Sequence, residues 1–143
     1  MSAVEREIEI AAPVERVFEV VADVASYPQF LDGLGMVGVE VLESGDDFQV
    51  VRHSVKKMGT VVTYTLRYSL QRPQRISWNF VEGQMMKDNR GSWEFTDLGD
   101  GRTRAHYQVE VRFGMLVPKS LVNAMVAKEL PQMLEAFKKQ AEG

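Results

Sequence analysis

The feature that most constrains the fold is a long amphipathic segment near the end of the chain, residues 118–141, which follows a series of strand-like segments. Apolar residues recur in it at intervals of three or four, the spacing of a helix with one wide apolar face. They are Leu121, Val122, Met125, Val126, Leu130, Met133, Leu134 and Phe137. A helix of this length, about 35 Å, must bury that face, and a sheet is the only partner that the sequence offers. We expect a gap between helix and sheet to hold the functional site.

Pro131 lies inside this predicted helix. A proline removes one backbone hydrogen bond and clashes with the preceding turn, so we expect a kink or break near residues 128–130. Such a bend would let the helix follow a curved sheet, or would form a hinge that admits a ligand. Curvature is the simpler interpretation and the one we favour.

Alternating apolar and polar residues predict seven β-strands. They cover residues 5–11, 37–42, 48–55, 62–70, 76–83, 92–96 and 104–113. After the first strand, an apolar stripe behind Pro13 predicts one short helix, and the capping-box spacing of Ser26 and Gln29 predicts a second. Short loops between later strands imply an antiparallel sheet. The predicted fold is α+β, one domain over residues 1–143 in which a seven-stranded curved antiparallel sheet wraps around the long C-terminal helix.

Composition and charge exclude several classes of function. The net charge of −3 argues against a sequence-independent grip on nucleic acid. The chain has no cysteine, which excludes disulfides, thiolate metal sites and a cysteine nucleophile. The N-terminal residues do not have the apolar core of a signal peptide, and no run of about 18 apolar residues could span a membrane. We expect a soluble cytoplasmic protein with neither a metal nor a cofactor.

One glycine pattern and two histidines are candidate motifs. Residues 33–38 (GLGMVG) match the dinucleotide-binding spacing, but they follow a helix and enter a strand, whereas the motif must follow a strand and open a helix. His106 is in phase with the polar face of the last strand. Either Arg52 or His53 points inward from its strand, and a one-residue bulge would decide which. Two histidines so placed do not predict a metal site.

Residues 12–18 (APVERVF) and 21–31 (VADVASYPQFL) resemble the opening of the coenzyme-Q-binding START-like branch of the helix-grip superfamily. Residues 82–83 (EG) and 91–95 (GSWEF) are similar to the stretch before the last two strands in that branch. The order of elements resembles the whole superfamily, SRPBCC or START-like, which includes the polyketide cyclases/dehydrases. The resemblance implies a deep apolar cavity under the last helix, occupied by a quinone, lipid or polyketide-like molecule.

Aromatic residues with a polar tip lie in phase with the aliphatic residues of the predicted strands, where they could orient a ligand by single hydrogen bonds. The alternative is an ordinary aromatic core with its hydroxyls satisfied locally. The predicted cavity lining is Tyr64, Tyr68, Trp78, Phe80, Glu82, Trp93, Tyr107, Met125, Met133 and Arg52.

Two further features bear on the cavity. Glu82 continues the apolar face of its strand, so we expect its carboxylate to lie at a solvated rim or to pair with Arg90 or Arg52. Met85 and Met86 fall in a loop, where an exposed pair would mark a cavity mouth or a tip that touches a membrane.

Three functions remain, and we favour the first. It is binding or carriage of an apolar small molecule, such as an isoprenoid quinone, a lipid or a polyketide-like compound, with transient membrane contact. The second is a cyclase or dehydratase, for which Glu82, Arg52, His53 or a tyrosine would move a proton. No convincing acid and base pair is present, so no catalytic residue is assigned. The third is a protein-interaction module, because a related branch is described as acting on ribosome association.

Overall fold

The computed structural model describes residues 2–57 and 59–143. Its strands are β1 (Ser2–Ile10), β2 (Met36–Ser44), β3 (Phe48–Lys57), β4 (Thr60–Gln71), β5 (Arg75–Gly83), β6 (Met86–Asp97) and β7 (Thr103–Phe113). Its α-helices are α1 (Val14–Ala22), α2 (Tyr27–Leu31), α3 (Lys119–Ala124) and α4 (Leu130–Glu142). Single 3₁₀ turns, Val24–Ser26 and Asp32–Leu34, flank α2. The α+β fold and the order of elements predicted from the sequence are confirmed.

The seven strands form one antiparallel sheet in the order β1-β7-β6-β5-β4-β3-β2. Consecutive strands from β2 to β7 pair as hairpin neighbours, and β1 closes the order by pairing with β7, so β1 and β2 are the edges. The β4–β5 pair contains a bulge, because Thr65 pairs with Glu82 while the next residue, Leu66, pairs with Phe80. Val81 is therefore the extra residue, and the bulge reverses the phase of β5 beyond it.

Most of the predicted strands are a few residues shorter than the observed ones. The largest difference is in β6, which begins six residues earlier than predicted, at Met86. The first part of β6 carries the polar run from Lys87 to Arg90, which hides the apolar alternation. Met85 precedes this strand in the loop, as predicted, whereas Met86 belongs to the strand.

The short helices close one end of the core. The apolar stripe of α1 is buried, and Phe18, which is fully buried, packs edge-on against Phe95 of β6 with ring centroids 6.0 Å apart. The predicted capping box at α2 was wrong, because the Ser26 hydroxyl donates instead to the Asp23 carboxylate, 2.6 Å away. A 3₁₀ turn already precedes α2, so the side chain of Ser26 is turned toward that earlier residue.

The closing helix is interrupted, as Pro131 predicted. Between α3 and α4 the backbone forms five residues of π-helix, Met125–Glu129, and Pro131 lies in the first turn of α4, where its missing N–H is tolerated. No helix in the described ranges is long and apolar enough to cross a membrane.

Candidate functional site

A cavity of about 270 Å³ lies between the sheet and the closing helix segments. All seven strands supply side chains to the lining, and the region of α2, α3, the π-helix and α4 supply the rest. Its walls are mostly apolar. The lining includes Leu31, Leu66, Val109, Val111, Phe113, Val122, Val126, Leu130 and Phe137.

Seven of the residues predicted to line a cavity do line this one: Tyr64, Tyr68, Trp78, Trp93, Tyr107, Met125 and Met133. They come from four strands, from the π-helix and from α4. Period-two alternation in the strands and the three-and-four spacing in the helix turn them toward the same space.

Arg52 was wrongly placed in the cavity. In β3 the inward residues are Val51 and His53, which are 0% and 1% exposed, and Arg52 points outward. Its guanidinium donates to the Glu40 carboxylate on the neighbouring strand at 2.7 Å. The ambiguity left by the sequence is thus resolved in favour of His53.

Glu82 was also wrongly placed in the cavity, and the bulge explains why. Glu82 pairs with Thr65, which in turn pairs with Arg52, so all three lie on the outer face. Glu82 is exposed to solvent there. Neither predicted partner holds it, since Arg52 pairs with Glu40 and Arg90 pairs with Asp88 and Glu110.

Phe80 and His106 also lie outside the cavity lining. Phe80 is half-buried and packs against the edge of the core, so its predicted place in the lining was wrong. His106 is on the outer face, as predicted, with its Nε2 3.3 Å from a Glu5 carboxylate oxygen. In the part of the chain that the structure describes, no three acidic or histidine side chains are grouped so as to hold a metal ion.

The buried end of the cavity is a cluster of phenol rings around one imidazole, which we call the polar pole: Tyr27, His53, Tyr64, Tyr68 and Tyr107. The Tyr68 hydroxyl and His53 Nε2 are 2.9 Å apart. The Tyr64 ring stacks on the imidazole, with centroids 5.1 Å apart, because Tyr64 and His53 are directly paired residues of adjacent strands. The other imidazole nitrogen, Nδ1, is buried and has no hydrogen-bond partner among the described residues.

Burial keeps these groups uncharged. It lowers the pKa of His53 to about 4 and raises the pKa of Tyr64 to about 12, because the charged form of each would lose its hydration. The pKa of Tyr68 is raised well above its ordinary value by burial and by the neighbouring phenols of Tyr27, Tyr64 and Tyr107. At neutral pH the polar pole therefore presents neutral imidazole and protonated phenols.

Two further polar contacts in the lining were not predicted from the sequence. The Trp78 indole N–H donates to the Asn89 side-chain oxygen at 2.9 Å. Asn89 lies within the polar run that hid the start of β6, so no periodicity marked it as an inward residue.

The other contact marks the more solvent-exposed end of the cavity. Lys57 forms an ion pair with Glu129 of the π-helix, and its ammonium group also donates to the Leu34 carbonyl at 3.0 Å. These side chains are 24% and 34% exposed, in contrast to His53. The ion pair joins the end of β3 to the interrupted part of the closing helix, and the large sequence separation of its members explains why the sequence did not reveal it.

Comparison with known proteins agrees with this architecture. The chain is 33% identical over 138 residues to the ribosome association toxin RatA of Escherichia coli K12, an alignment that covers 96% of this chain and 85% of RatA. The Zhui aromatase/cyclase of Streptomyces sp. R1128 superposes with a TM-score of 0.84 at 28% identity, covering 99% of this chain and 93% of that one. A START superfamily protein of Mycobacterium smegmatis has the same fold, with a TM-score of 0.83 at 19% identity, covering 98% of this chain and 97% of that one.

The family model described as polyketide cyclase/dehydrase and lipid transport matches residues 10–138. That span runs from the end of β1 to the middle of α4 and includes every element that lines the cavity except most of β1. The chain belongs to the polyketide cyclase/dehydrase and lipid transport family.

Proposed function

We propose that this protein binds and carries an uncharged apolar molecule whose polar end bears hydrogen-bond acceptors, such as the carbonyl oxygens of a quinone or a polyketide. The observation that carries the proposal is the cavity itself, an apolar space of about 270 Å³ with uncharged phenol and imidazole groups at its buried end. Of the four phenols there, Tyr27 already donates to the Val21 carbonyl. Small-molecule pockets are mostly apolar with a few placed polar groups, and typically measure about 300–1,000 Å³. A ring and a short chain fit this volume, and a longer tail would extend past Lys57 and Glu129.

The polar pole favours a neutral ligand over a carboxylate or a phosphate. A buried charge is costly unless it is paired, and the cation in the lining, Lys57, is already held by Glu129 and the Leu34 carbonyl. The low pKa of His53 means that the imidazole does not supply a positive charge near neutral pH.

Hydrogen-bond counting at the polar pole favours an acceptor on the ligand. If the Tyr68 hydroxyl donates to His53 Nε2, then Nδ1 carries the proton and one buried donor, Nδ1–H, lacks a partner. In the opposite tautomer both the Nδ1 lone pair and the Tyr68 hydroxyl proton lack partners among the described residues. The first arrangement satisfies more groups, so we assign it. An unpaired buried donor costs about 1–3 kcal/mol, which a ligand carbonyl would offset.

The direct test is calorimetric titration with two probes of similar shape, a decyl-substituted benzoquinone and decylbenzene. We expect the quinone to bind at least about tenfold more tightly, because only the quinone has acceptors for the polar pole. Replacing Val126 of the cavity wall by Trp should weaken binding of both probes at least about tenfold, because the larger ring fills the space.

Ala127→Trp is the matched control, because Ala127 is the next residue of the same π-helix and is exposed. It should bind both probes as the unmodified protein does. If neither probe binds the unmodified protein, or if Val126→Trp binds them as tightly as Ala127→Trp, the cavity is not a ligand site of this kind.

Binding ranks ahead of catalysis because the ionisable groups in the lining are not poised for proton transfer near neutral pH. Glu129 is engaged by Lys57, and the lowered pKa of His53 makes the imidazole a weak base. The family also contains cyclases, so turnover of a poly-keto substrate is the observation that would reverse this order.

Ribosome association is a second candidate function, favoured by the 33% identity with RatA across 96% of this chain. We expect this activity, if present, to use the surface and not the cavity. Sedimentation of the protein with purified ribosomes through a sucrose gradient tests it, with Val126→Trp as the variant that should co-sediment normally. Absence of the protein from the ribosome fractions at low and high Mg²⁺ would eliminate this candidate.

A further inference from the structure

One end of the sheet carries most of the large apolar side chains that the described chain exposes. Six of the eight such residues lie there: Val37, Val61, Val81, Met85, Met115 and Leu116. Register places them at the same end of the sheet. The start of β2 and of β4 and the end of β3 and of β5 lie at this end, as do the start of β6 and the end of β7.

Three of these residues lie in loops beyond the strand ends and form what we call the tip: Met85, Met115 and Leu116. Met115 is 94% exposed and Leu116 is 88% exposed, and Met85 reaches 46%. The tip is built from two adjacent loops, since the Gly114 N–H donates to the Met85 carbonyl at 2.9 Å. Two neighbouring long apolar side chains held almost wholly in water are unfavourable unless a second surface covers them.

The charges around the tip are mostly positive, although the chain as a whole is negative. Residues 111–128 contain Arg112, Lys119 and Lys128 and no aspartate or glutamate. Lys56 and Lys87 lie at the same end of the sheet, opposite Val61 and next to Met86. Within the described ranges these five cations form no ion pair.

Acidic groups at this end do not cancel that charge. Asp88 is held by Arg90 and Glu129 by Lys57, which leaves Asp32, just before β2, and Glu82 as the exposed acidic residues. An apolar tip flanked by cations is the pattern of a protein that inserts into an anionic lipid surface, where the cations meet the headgroups and the apolar side chains pass below them.

We propose that the tip docks on an anionic lipid membrane. Methionine and leucine lack the flat ring that stacks on nucleic-acid bases, so lipid fits the tip better than single-stranded RNA does. The flanking residues Phe113 and Val122 both line the cavity, so docking would place the cavity next to the bilayer, where apolar ligands are dissolved. Only this last step rests on the proposed ligand binding.

The test uses vesicles of phosphatidylcholine with phosphatidylglycerol, and pure phosphatidylcholine vesicles, in a sedimentation assay without added ligand. We expect binding to the anionic vesicles to be at least about fivefold stronger than binding to the neutral ones, and to weaken with salt. Met115→Ser with Leu116→Ser should weaken binding to anionic vesicles at least about fivefold. Lys87→Gln with Lys119→Gln should remove most of the preference for the anionic vesicles.

The matched control is Val41→Ser with Leu42→Ser, because these residues are 40% and 43% exposed on β2 away from the tip. Circular dichroism checks that each variant is folded. Equal binding by the tip variant and the control, or no preference for anionic vesicles, would overturn the proposal. So would a tip variant that loses affinity for a ribosomal RNA fragment while its vesicle binding is unchanged.

A second readout does not depend on removing side chains. Because the chain has no cysteine, a single Leu116→Cys substitution can carry an environment-sensitive nitrobenzoxadiazole dye. Its emission should shift to the blue with anionic vesicles, whereas the same dye at Leu42→Cys should not respond. An unshifted dye at position 116 contradicts docking by the tip even if ligand binding in solution succeeds, so the two proposals can fail separately.

Discussion

Replacing Phe137 by Ala should lower the free energy of unfolding by about 3–5 kcal/mol, the usual cost of removing a buried aromatic ring. Phe137 is 3% exposed, and its ring meets those of Tyr27, Phe30 and Trp93 at centroid distances of 5.2, 5.2 and 5.4 Å. These contacts are close to perpendicular, an arrangement that adds to the area buried.

The expected loss is large because α4 has few other large buried side chains. Its buried residues are Leu130, Leu134, Phe137 and Ala141, and Phe137 is the largest of them. It joins the short-helix region, through Tyr27 and Phe30, to the sheet, through Trp93. Its removal thus loosens three parts of the fold together.

Urea denaturation followed by circular dichroism measures the effect. Glu135→Ala is the matched control on the same helix, because Glu135 is exposed and its replacement should change the unfolding free energy by less than about 0.5 kcal/mol. A loss below about 1 kcal/mol for Phe137→Ala would mean that α4 does not hold the core in the way that the ring contacts indicate.

The fold was predictable because its determinants are local in sequence. Alternation with period two marks β4 and β7, and the three-and-four spacing marks the closing helix. Pro131 predicts the interruption, because proline has no backbone N–H to donate and its ring clashes with the preceding turn of a helix. Since hairpins connect neighbouring strands, the sheet order from β2 to β7 follows directly from the order of the segments.

The candidate site was only partly predictable because strand phase can change at a single residue. The extra residue Val81 reversed the phase of β5, so Glu82 was assigned to the wrong face, although Ile76, Trp78 and Phe80 before it were assigned to the correct one. Arg52 and His53 could not be distinguished for a similar reason, because both phases of β3 bring apolar residues inward.

The remaining site residues depend on contacts between distant parts of the chain. Tyr27 enters the polar pole from α2, where nothing in its surrounding sequence marks it as a cavity residue. The pair between Lys57 and Glu129 joins β3 to the π-helix, and the sequence cannot predict that pairing without the three-dimensional arrangement.

His53 should make the protein less stable as the pH falls from 7 to 5. Its pKa is about 4 in the folded protein, against 6.5 for an ordinary histidine, because burial disfavours the charged imidazole. The unfolded chain therefore binds a proton between pH 6.5 and 4 that the folded protein does not bind, so acid favours unfolding. The part of the unfolding free energy that depends on an uncharged His53 is fully present above pH 6.5 and is lost progressively as the pH falls toward 4.

The loss attributable to this one group is about 2 kcal/mol between pH 7 and 5, and about 3 kcal/mol once the pH is below 4. His53→Gln retains a polar group for Tyr68 but cannot be protonated, so its unfolding free energy should fall less over the same range.

Urea denaturation at a series of pH values gives the curves for both proteins, and contributions from carboxylates common to the two proteins cancel in the difference. His106→Gln, on the outer face, is the control and should follow the unmodified protein. Parallel curves for His53→Gln and the unmodified protein would show that the imidazole is not desolvated, and would remove the argument that the polar pole selects an uncharged ligand.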